Sequence, residues 1–248
     1  MALQDRLVLI TGAARRVGRS LALACARAGA DVAVHYGQSR AEAETLAGEI
    51  ESLGRRAVLL QADLNDPQAA AGLIEQAAAF GQLFALVNNA SIFEPLNWQT
   101  TSLDDWNRHM AVNLTSPFLL SQAFARVLPA ESEGRIVNLL DWRALRPGRN
   151  HFPYTISKAG LAALTRSLAI ALAPRITVNG LALGAILPPE GGSIPPEDST
   201  FEQRLIQAVP AGRWARLEEV DQALLFLLDG AGYTTGEILH LDGGRHLV

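Results

Sequence analysis

Apolar positions along the chain follow two patterns that alternate from one end to the other. Short, nearly continuous apolar runs such as RLVLI, ALVNN and RIVNLL are typical of strands buried on both faces of a parallel sheet. Longer segments with apolar residues three and four positions apart are typical of helices with one buried face. These patterns predict strands near 6–11, 31–36, 57–61, 83–88, 135–140, 175–181 and 237–241, and helices near 17–28, 40–53, 67–80, 102–127, 153–173 and 217–228. The alternation predicts an α/β fold, a doubly wound seven-stranded parallel sheet with helices on both faces.

One segment interrupts this alternation after the sixth predicted strand. The sequence GAILPPEGGSIPPEDST at 184–200 has four prolines and three glycines, which exclude a continuous helix or central strand. A long loop at the carboxyl end of a strand is more often a lid over a binding site than a linker. We therefore expect a substrate-lid loop near 184–212 within a single domain that spans 1–248.

Composition narrows the class of protein without changing the predicted fold. The net charge is −4 with both signs interspersed, so no basic stripe indicates nucleic acid or an anionic membrane as a partner. One cysteine excludes an internal disulfide, and with the histidines it offers no metal-ligand spacing. The first apolar strand follows MALQD without a signal-peptide pattern, and no run of about eighteen uncharged apolar residues predicts a membrane span. A cytoplasmic protein without a metal site is expected.

The first predicted strand leads into a turn of small residues and then a helix, in the sequence DRLVLITGAARRVGRSLALA. Gly12 permits a tight turn, Gly18 permits close approach of helix and strand, and amide groups at a helix start bind phosphate. A plain glycine turn is the alternative, but strand, turn, helix and strand follow in the order that a dinucleotide-binding unit requires. Arg15 and Arg16 add positive charge beyond what a pyrophosphate requires, which favours an additional phosphate.

The end of the second predicted strand indicates which dinucleotide is preferred. NAD-binding units usually carry an Asp or Glu there that accepts from the ribose 2′-hydroxyl, whereas this chain has His35, Tyr36, Ser39 and Arg40 in that region. Because no carboxylate repels a 2′-phosphate and the neighbouring basic and polar side chains attract one, NADP(H) is the expected cofactor. The alternative is that Arg40 simply begins a solvated helix.

The stretch DWRALRPGRNHFPYTISK predicts a catalytic centre. Tyr154 and Lys158 are four residues apart, so they project from one face of a helix that begins here. A cation near a phenol favours the phenolate, which is expected to lower the pKa of Tyr154 and make it a usable proton donor. Asp141 ends a strand where open α/β sheets bind ligands. The alternatives are a chance Tyr-Lys pair on a solvated helix and an aspartate that caps the following turn.

Taken together, these motifs resemble the short-chain dehydrogenase/reductase family over essentially the whole chain, which implies its Rossmann-type fold. The motifs that carry the resemblance are TGAARRVG, ADL at 62–64, NNAS at 88–91, Asn113, and Tyr154 with Lys158. Within that family, three departures from the common pattern resemble the pteridine reductases: Arg16 in place of a glycine, HYGQS after the second strand, and Asp141 in place of a serine. The match extends to NASIF, which contains Phe93.

The resemblance implies a role for each motif. Cofactor binding is implied for Gly12, Arg15, Arg16, Val17, Gly18, His35, Tyr36, Ser39, Arg40, Asp63, Leu64, Asn89, Ala90, Ser91, Tyr154, Lys158 and Gly184. Substrate binding is implied for Arg16, Ser91, Phe93, Asp141 and Tyr154, and catalysis for Asp141, Asn113, Tyr154 and Lys158. Phe93 is implied to stack on a pterin opposite the nicotinamide, and Asn113 to hold a water chain to the lysine. Aromatic residues after a strand otherwise belong more often to the core, where Trp98 is expected.

The predicted activity is NADPH-dependent reduction of a C=N bond in a biopterin-like or folate-like pterin, with protonation assisted by Tyr154 and Asp141. An ionised aspartate cannot donate to a ketone oxygen as a serine does, and it suits a heterocycle rich in N–H groups. The alternatives are a carbonyl or 3-oxoacyl thioester reductase, and a non-catalytic NADP-binding subunit or sensor. The resemblance also implies a homotetramer, with the helices near 102–127 and 153–173 packing between subunits. Leu183 stands where the family usually has a proline before Gly184, so the geometry of the 184–200 loop does not follow from the resemblance.

Overall fold

The structure is a computed structural model that describes residues 3–187 and 206–248. Seven parallel strands form one sheet in the order β3-β2-β1-β4-β5-β6-β7. The strands are β1 (Leu7–Ile10), β2 (Asp31–Tyr36), β3 (Ala57–Gln61), β4 (Leu83–Asn88), β5 (Gly134–Asp141), β6 (Ile176–Leu183) and β7 (Ile238–Leu241). The predicted seven-stranded parallel sheet is confirmed.

Helices connect successive strands in the described ranges. They are α1 (Arg16–Arg27), α2 (Arg40–Ser52), α3 (Pro67–Phe80), α4 (Leu103–Met110), α5 (Ser116–Val127), α6 (Phe152–Leu172) and α7 (Leu217–Leu225). Side chains of α1, α2 and α7 join a hydrophobic core on one face of the sheet, and those of α3, α5 and α6 join a core on the opposite face. No helix of the described ranges is long and apolar enough to cross a membrane.

The central strands are covered on both faces of the sheet, which explains why their sequences are apolar without interruption. Val8 and Ile10 pack into the core on one face, whereas Leu7 and Leu9 pack into the core on the other. Successive side chains of a strand point to opposite faces, so a strand covered on both sides buries every position. Burial of each such side chain contributes about 1.5–3 kcal/mol.

The helix expected over 102–127 runs without a break over 103–127, but its winding changes at one turn. α4 and α5 are joined by a π-helical turn at Ala111–Thr115 that contains the buried Asn113. Trp98, which was expected in the core, is 68% exposed. It lies on the irregular segment between β4 and α4, and such connections run over the surface because their backbone must remain hydrated.

The topology places a crevice at the carboxyl end of β1. This strand pairs with β2 on one side and with β4 on the other, so the connections leave it in opposite directions. Open α/β sheets bind ligands at such a switch point. The expected lid near 184–212 falls largely on residues 188–205, outside the described residues. At its start, the N–H of Gly184 donates to the carbonyl oxygen of Leu241 at 2.9 Å, which extends the pairing of β6 with β7.

Candidate active site

The glycine loop after β1 is held in place by His35 of β2. The N–H of Gly12 donates to Nδ1 of His35 at 3.0 Å, and Nε2 of His35 lies 3.2 Å from the carbonyl oxygen of Ala62. A ring nitrogen that accepts from an amide is unprotonated, so the neutral ring carries its hydrogen on Nε2. Burial lowers the pKa of His35 to about 4, against a smaller opposing effect of the Ala62 carbonyl. The expectation that His35 attracts a 2′-phosphate is therefore corrected, because its ring is neutral and anchors the glycine loop.

Close packing explains the two glycines of this loop. Gly12 has a φ of +61°, in the left-handed region that glycine tolerates best. A Cβ at Gly18 would overlap the carbonyl oxygen of Gly12 and lie 2.6 Å from Nδ2 of Asn89. That amide donates to the carbonyl oxygens of Thr11 at 2.8 Å and Gly12 at 3.1 Å. The loop is thus fixed from β2, from α1 and from the end of β4.

A cavity of about 530 Å³ opens beside this loop at the carboxyl end of the sheet. Its lining includes most of the predicted cofactor-binding residues: Gly12, Arg15, Arg16, Val17, Gly18, His35, Tyr36, Ser39, Asp63, Leu64, Asn89, Ala90 and Ser91. The remaining predicted residues, Arg40, Tyr154, Lys158 and Gly184, do not line it. Arg40 pairs with Glu44 at 2.8 Å on the exposed face of α2, as a solvated helix start would, and its contact with a cofactor phosphate stays a prediction.

The charge of the cavity suits a phosphorylated dinucleotide. Arg15 and Arg16 line the cavity at the amino end of α1, where backbone amides attract anions. Asp63 is the single carboxylate among the described lining residues, and its Oδ1 accepts from the N–H of Asn65 at 2.9 Å. The part of the lining that follows β2 offers Ser39 and no acid. These residues fit a dinucleotide with an additional phosphate.

Asp141, the last residue of β5, makes both contacts that were considered for it, one with the following turn and one with Tyr154. Its Oδ2 accepts a hydrogen bond from the hydroxyl of Tyr154 at 3.1 Å. Its Oδ1 accepts from the N–H of Arg143 at 2.8 Å, and the Arg143 guanidinium lies 3.2 Å away. The aspartate therefore caps the following turn and also contacts the predicted proton donor.

The environment of Tyr154 differs from the expectation in one respect. Burial, followed by the charge and hydrogen bond of Asp141, raises the pKa of Tyr154 well above its usual value of 10. Nζ of Lys158 donates to the carbonyl oxygen of Leu139 at 2.7 Å and lies 5.8 Å from the centroid of the tyrosine ring. The predicted lowering of the tyrosine pKa by Lys158 is wrong for this structure, because the carboxylate is in contact with the hydroxyl and the ammonium is not. Burial also lowers the pKa of Lys158 to about 8, against the attraction of Asp141.

Asn113 connects the segment after β4 to helix α6. Its Oδ1 accepts from the N–H of Ile92 at 2.9 Å and from Oγ of Ser91 at 3.1 Å. Its Nδ2 donates to the carbonyl oxygen of Ile92 at 3.1 Å and to Oγ of Ser157 at 3.0 Å. An amide side chain has two donor hydrogens and two acceptor lone pairs, so all four are in use. The side chain of Asn113 thus ties the segment after β4 to α6, and the implied water chain to Lys158 stays a prediction.

Phe93 lies against Tyr154, the predicted proton donor. Its ring is stacked on His151 with centroids 3.9 Å apart and an interplanar angle of 11°, and it meets Tyr154 in a T-shaped contact at 4.7 Å. Phe93 is 48% exposed, so part of the ring remains open to a ligand. Nδ1 of His151 lies 2.8 Å from the carbonyl oxygen of Glu94, which fixes the imidazole.

Three contributors to the site were not found from the sequence. Arg143, His151 and the carbonyl oxygen of Leu139 act through contacts that no motif describes. Only the position of His151, immediately before the predicted helix, could have drawn attention to it in the sequence. In the structure this residue caps α6 with a φ of 54°. Within residues 3–187 and 206–248, no group of three or more His, Cys, Asp or Glu side chains could hold a metal ion.

Comparisons with known proteins agree with this geometry. A family model described as Enoyl-(Acyl carrier protein) reductase matches residues 12–246. The chain is 35% identical to the (2S)-[(R)-hydroxy(phenyl)methyl]succinyl-CoA dehydrogenase subunit BbsD of Thauera aromatica, over 100% of this chain and 99% of that protein. It is 32% identical to a 3-oxoacyl-[acyl-carrier-protein] reductase of Synechocystis, over 98% of both.

A solved structure is similar along the whole chain. FolM Alternative dihydrofolate reductase 1 from Brucella canis, complexed with NADP, is 35% identical with a TM-score of 0.91. The alignment covers 100% of this chain and 97% of that one. The bound NADP agrees with the cofactor expected from the sequence. Since the family model and these relatives match nearly every residue, the chain belongs to the short-chain dehydrogenase/reductase family of oxidoreductases.

Proposed function

We propose that this protein reduces a C=N bond of a biopterin-like or folate-like pterin with NADPH. The observation that carries the proposal is the contact between the Asp141 carboxylate and the Tyr154 hydroxyl at the end of β5. A carboxylate accepts hydrogen bonds from the N–H groups of a heterocycle, whereas it repels the oxygen of a ketone. The name of the similar FolM structure supports the same substrate class.

NADPH would supply the hydride when bound. The residues that line the cavity beside the glycine loop would hold the dinucleotide. Among them, Arg15, Arg16 and Ser39 offer the positive charge and the hydroxyl group that would bind its phosphates. Lys158 would contact the nicotinamide ribose, because it stands on the helix face that carries Tyr154.

Reduction of a C=N bond consumes one proton for each hydride, and the chain holds that proton on Tyr154. The raised pKa keeps the phenol protonated at neutral pH, so it is a donor rather than a base. Asp141 accepts from the phenol and orients it, and is placed to relay a replacement proton. The exposed part of Phe93 would stack on the flat ring of the substrate.

The second candidate is a reductase of a carbonyl compound or a 3-oxoacyl thioester. The name of the Synechocystis relative favours it, and Tyr154 would then protonate an alkoxide without assistance from Asp141. A non-catalytic NADP-binding subunit or sensor is the third candidate, but a buried phenol bonded to a carboxylate has no use in simple binding.

The test is NADPH oxidation with dihydrobiopterin, dihydrofolate and an acetoacetyl thioester, each repeated with NADH. Turnover of a pterin with a preference for NADPH is the expected result. Turnover of the thioester alone would replace the proposal with the second candidate, and binding of NADPH without any turnover would favour the third.

A homotetramer belongs to the same proposal. Large apolar side chains are exposed on the helices that the resemblance places between subunits: Leu103 on α4, Phe118 on α5, and Ile156 and Ile170 on α6. Light scattering after size-exclusion chromatography measures the assembly, and a monomeric mass would contradict it.

A further inference from the structure

A buried histidine that the proposed reaction does not use faces the segment that carries Phe93. His109 lies near the end of α4, and its side chain is fully buried. Its Nδ1 lies 2.8 Å from the carbonyl oxygen of Asp105, so this nitrogen carries a hydrogen and donates it. Its Nε2 is also buried, and among residues 3–187 and 206–248 it has no hydrogen-bond partner. Nε2 lies 3.9 Å from Oε2 of Glu94, which is too far for a hydrogen bond.

Glu94 connects this histidine to the aromatic surface of the site. It follows Phe93 directly in the chain, and its carbonyl oxygen accepts from Nδ1 of His151 at 2.8 Å. The ring of His151 is stacked on that of Phe93. On the other side, Oε2 of Glu94 accepts from Nη2 of Arg108 at 2.7 Å. A displacement of Glu94 is therefore passed to both stacked rings.

The gap between Nε2 and Glu94 depends on a proton. In the neutral ring Nε2 has a lone pair and cannot bond to a carboxylate, because both groups only accept. The protonated ring has an N–H at Nε2, and a buried cation requires a partner of opposite charge. A carboxylate has about four acceptor positions, so Glu94 can accept from His109 and Arg108 together.

The other charged or titratable groups around the imidazole come from two helices. Asp105 and Arg108 belong to α4, and Nη2 of Arg108 donates to Oδ1 of Asp105 at 3.0 Å. His151 stands at the start of α6 and interacts electrostatically with His109. Glu94 is the carboxylate that Nε2 faces, so it is the group to which a protonated ring donates.

We propose that His109 is a positioning residue for the ring of Phe93 and acts through Glu94. When Nε2 takes up a proton from solvent, it donates to the Glu94 carboxylate, and this bond holds Phe93 and His151 in their stacked arrangement. The inference rests on the proposed function, because Phe93 is the surface on which the pterin would stack. It adds a regulation to that function: the site binds the pterin more tightly as His109 becomes protonated.

The first measurement needs no substrate. The chain has five histidines, so NMR can follow each imidazole from about pH 5 to about pH 9 after assignment with single substitutions. We expect the ring signals of His151 to show a step that coincides with the titration of His109. The titration of His151 itself is a separate step, since burial lowers its pKa against the bond to the Glu94 carbonyl. H109Q should remove the coincident step, and a step that persists in H109Q would overturn the proposal.

The second measurement is the KM for dihydrobiopterin across the same pH range. In H109Q the amide can donate to Glu94 at every pH, so this variant should keep a low KM. Relative to H109Q at each pH, the wild-type KM should rise by about 2-fold to 10-fold as His109 loses its proton, the range of one stacking contact. H109L has no donor and should show the higher KM throughout. A purely structural role would raise the KM in H109Q and H109L alike, with no difference in pH dependence, and would overturn the proposal.

Glu94→Gln keeps the test decisive if H109L does not fold. The amide of this variant can donate to the bare Nε2 of a neutral ring but not to a protonated one. The pH dependence of the KM should therefore reverse, and an unchanged direction would contradict the role of Glu94. His240→Gln is the matched control, because His240 is a titratable residue of β7 that stacks on His246, and it should retain the wild-type dependence.

Failure of the proposed function is recognised separately. If the wild type reduces no pterin, that function is wrong, and the NMR titration alone decides the role of His109. If a pterin is reduced but His151 does not respond to the titration of His109, the function stands and the inference is overturned.

Discussion

The hydroxyl of Tyr154 donates a 3.1 Å hydrogen bond to Oδ2 of Asp141, and this contact adds to the effect of burial in raising the pKa of the phenol. The sequence places the two residues thirteen positions apart, one at the end of β5 and one in the first turn of α6. The carboxylate, and not the lysine one turn away, is thus the charged group in contact with the tyrosine hydroxyl.

Tyr154→Phe removes the proton donor while retaining the ring that contacts Phe93. We expect substrate reduction to fall by about 10²–10⁴-fold, the usual contribution of a positioned general acid. NADPH binding, followed by fluorescence, should persist because the cavity residues are unchanged. Full activity in this variant would show that another group supplies the proton.

Asp141→Asn removes the charge but keeps an oxygen for the turn at Arg143. The pKa of Tyr154 should fall, although it should stay above 10 because burial, its largest cause, remains. Ultraviolet difference titration of the tyrosines measures this. We expect pterin turnover to decrease by about 10²-fold or more. Asp141→Ala is the companion variant, and unchanged pterin turnover in it would eliminate the proton relay.

His35 should make stability depend on pH. The unfolded residue titrates near 6.5 and the folded residue near 4, so the unfolded chain binds more protons between these values. Its contribution is complete above about pH 6.5, and up to about 3 kcal/mol is lost as the pH falls to about 4. Urea unfolding across this pH range should show a smaller loss of unfolding free energy in His35→Gln, because the glutamine does not titrate. Parallel curves for the two proteins would contradict the neutral buried imidazole.

Gly18→Ala should destabilise the protein and weaken NADPH binding, since the new Cβ would overlap the carbonyl oxygen of Gly12. The expected cost is about 1–3 kcal/mol, as in other overpacked sites. Gly48→Ala is the matched control, because a Cβ at Gly48 meets nothing within 4 Å and lies within α2. That change should stabilise the helix by about 0.5–1 kcal/mol. Thermal unfolding and NADPH titration of both variants measure these effects. Equal changes in the two variants would contradict the predicted overlap at Gly18.

Phe93→Leu should raise the KM for the pterin while leaving the fold intact, because Phe93 is half exposed and its loss removes a flat stacking surface. An aromatic stacking contact contributes about 0.5–1.5 kcal/mol beyond area burial, which corresponds to about a 2-fold to 10-fold change in KM. Trp98→Leu, an exposed aromatic on the same connection, is the control. The same KM shift in both variants would mean that Phe93 does not stack on the substrate.

The local parts of the site followed from local sequence. Gly12 and Gly18 are separated by the length of a turn and the first positions of a helix, and Tyr154 and Lys158 by one helical turn. Spacing within one element fixes relative direction, so these residues could be assigned from the chain alone. The correct location of Asp141 followed because an apolar run marks where a buried strand ends.

The partners of polar groups could not be assigned in this way. His35 was expected to attract a phosphate, but the register of β1 and β2 places its ring under the amide of Gly12. The side-chain bonds of Asn113 to Ser91, Ile92 and Ser157 join segments that are distant in the sequence, so no spacing within one element could predict them.

The sequence by itself therefore determined the order of strands and helices, the family, and which residue types stand at the carboxyl edge of the sheet. Periodicity and spacing are local, and each reports on one element. Only the tertiary structure decided that Asp141, rather than Lys158, contacts the hydroxyl of Tyr154, and that Arg245 approaches Trp142. These contacts depend on the pairing of β5, β6 and β7 and on burial, which raises the strength of charge interactions that water would otherwise screen.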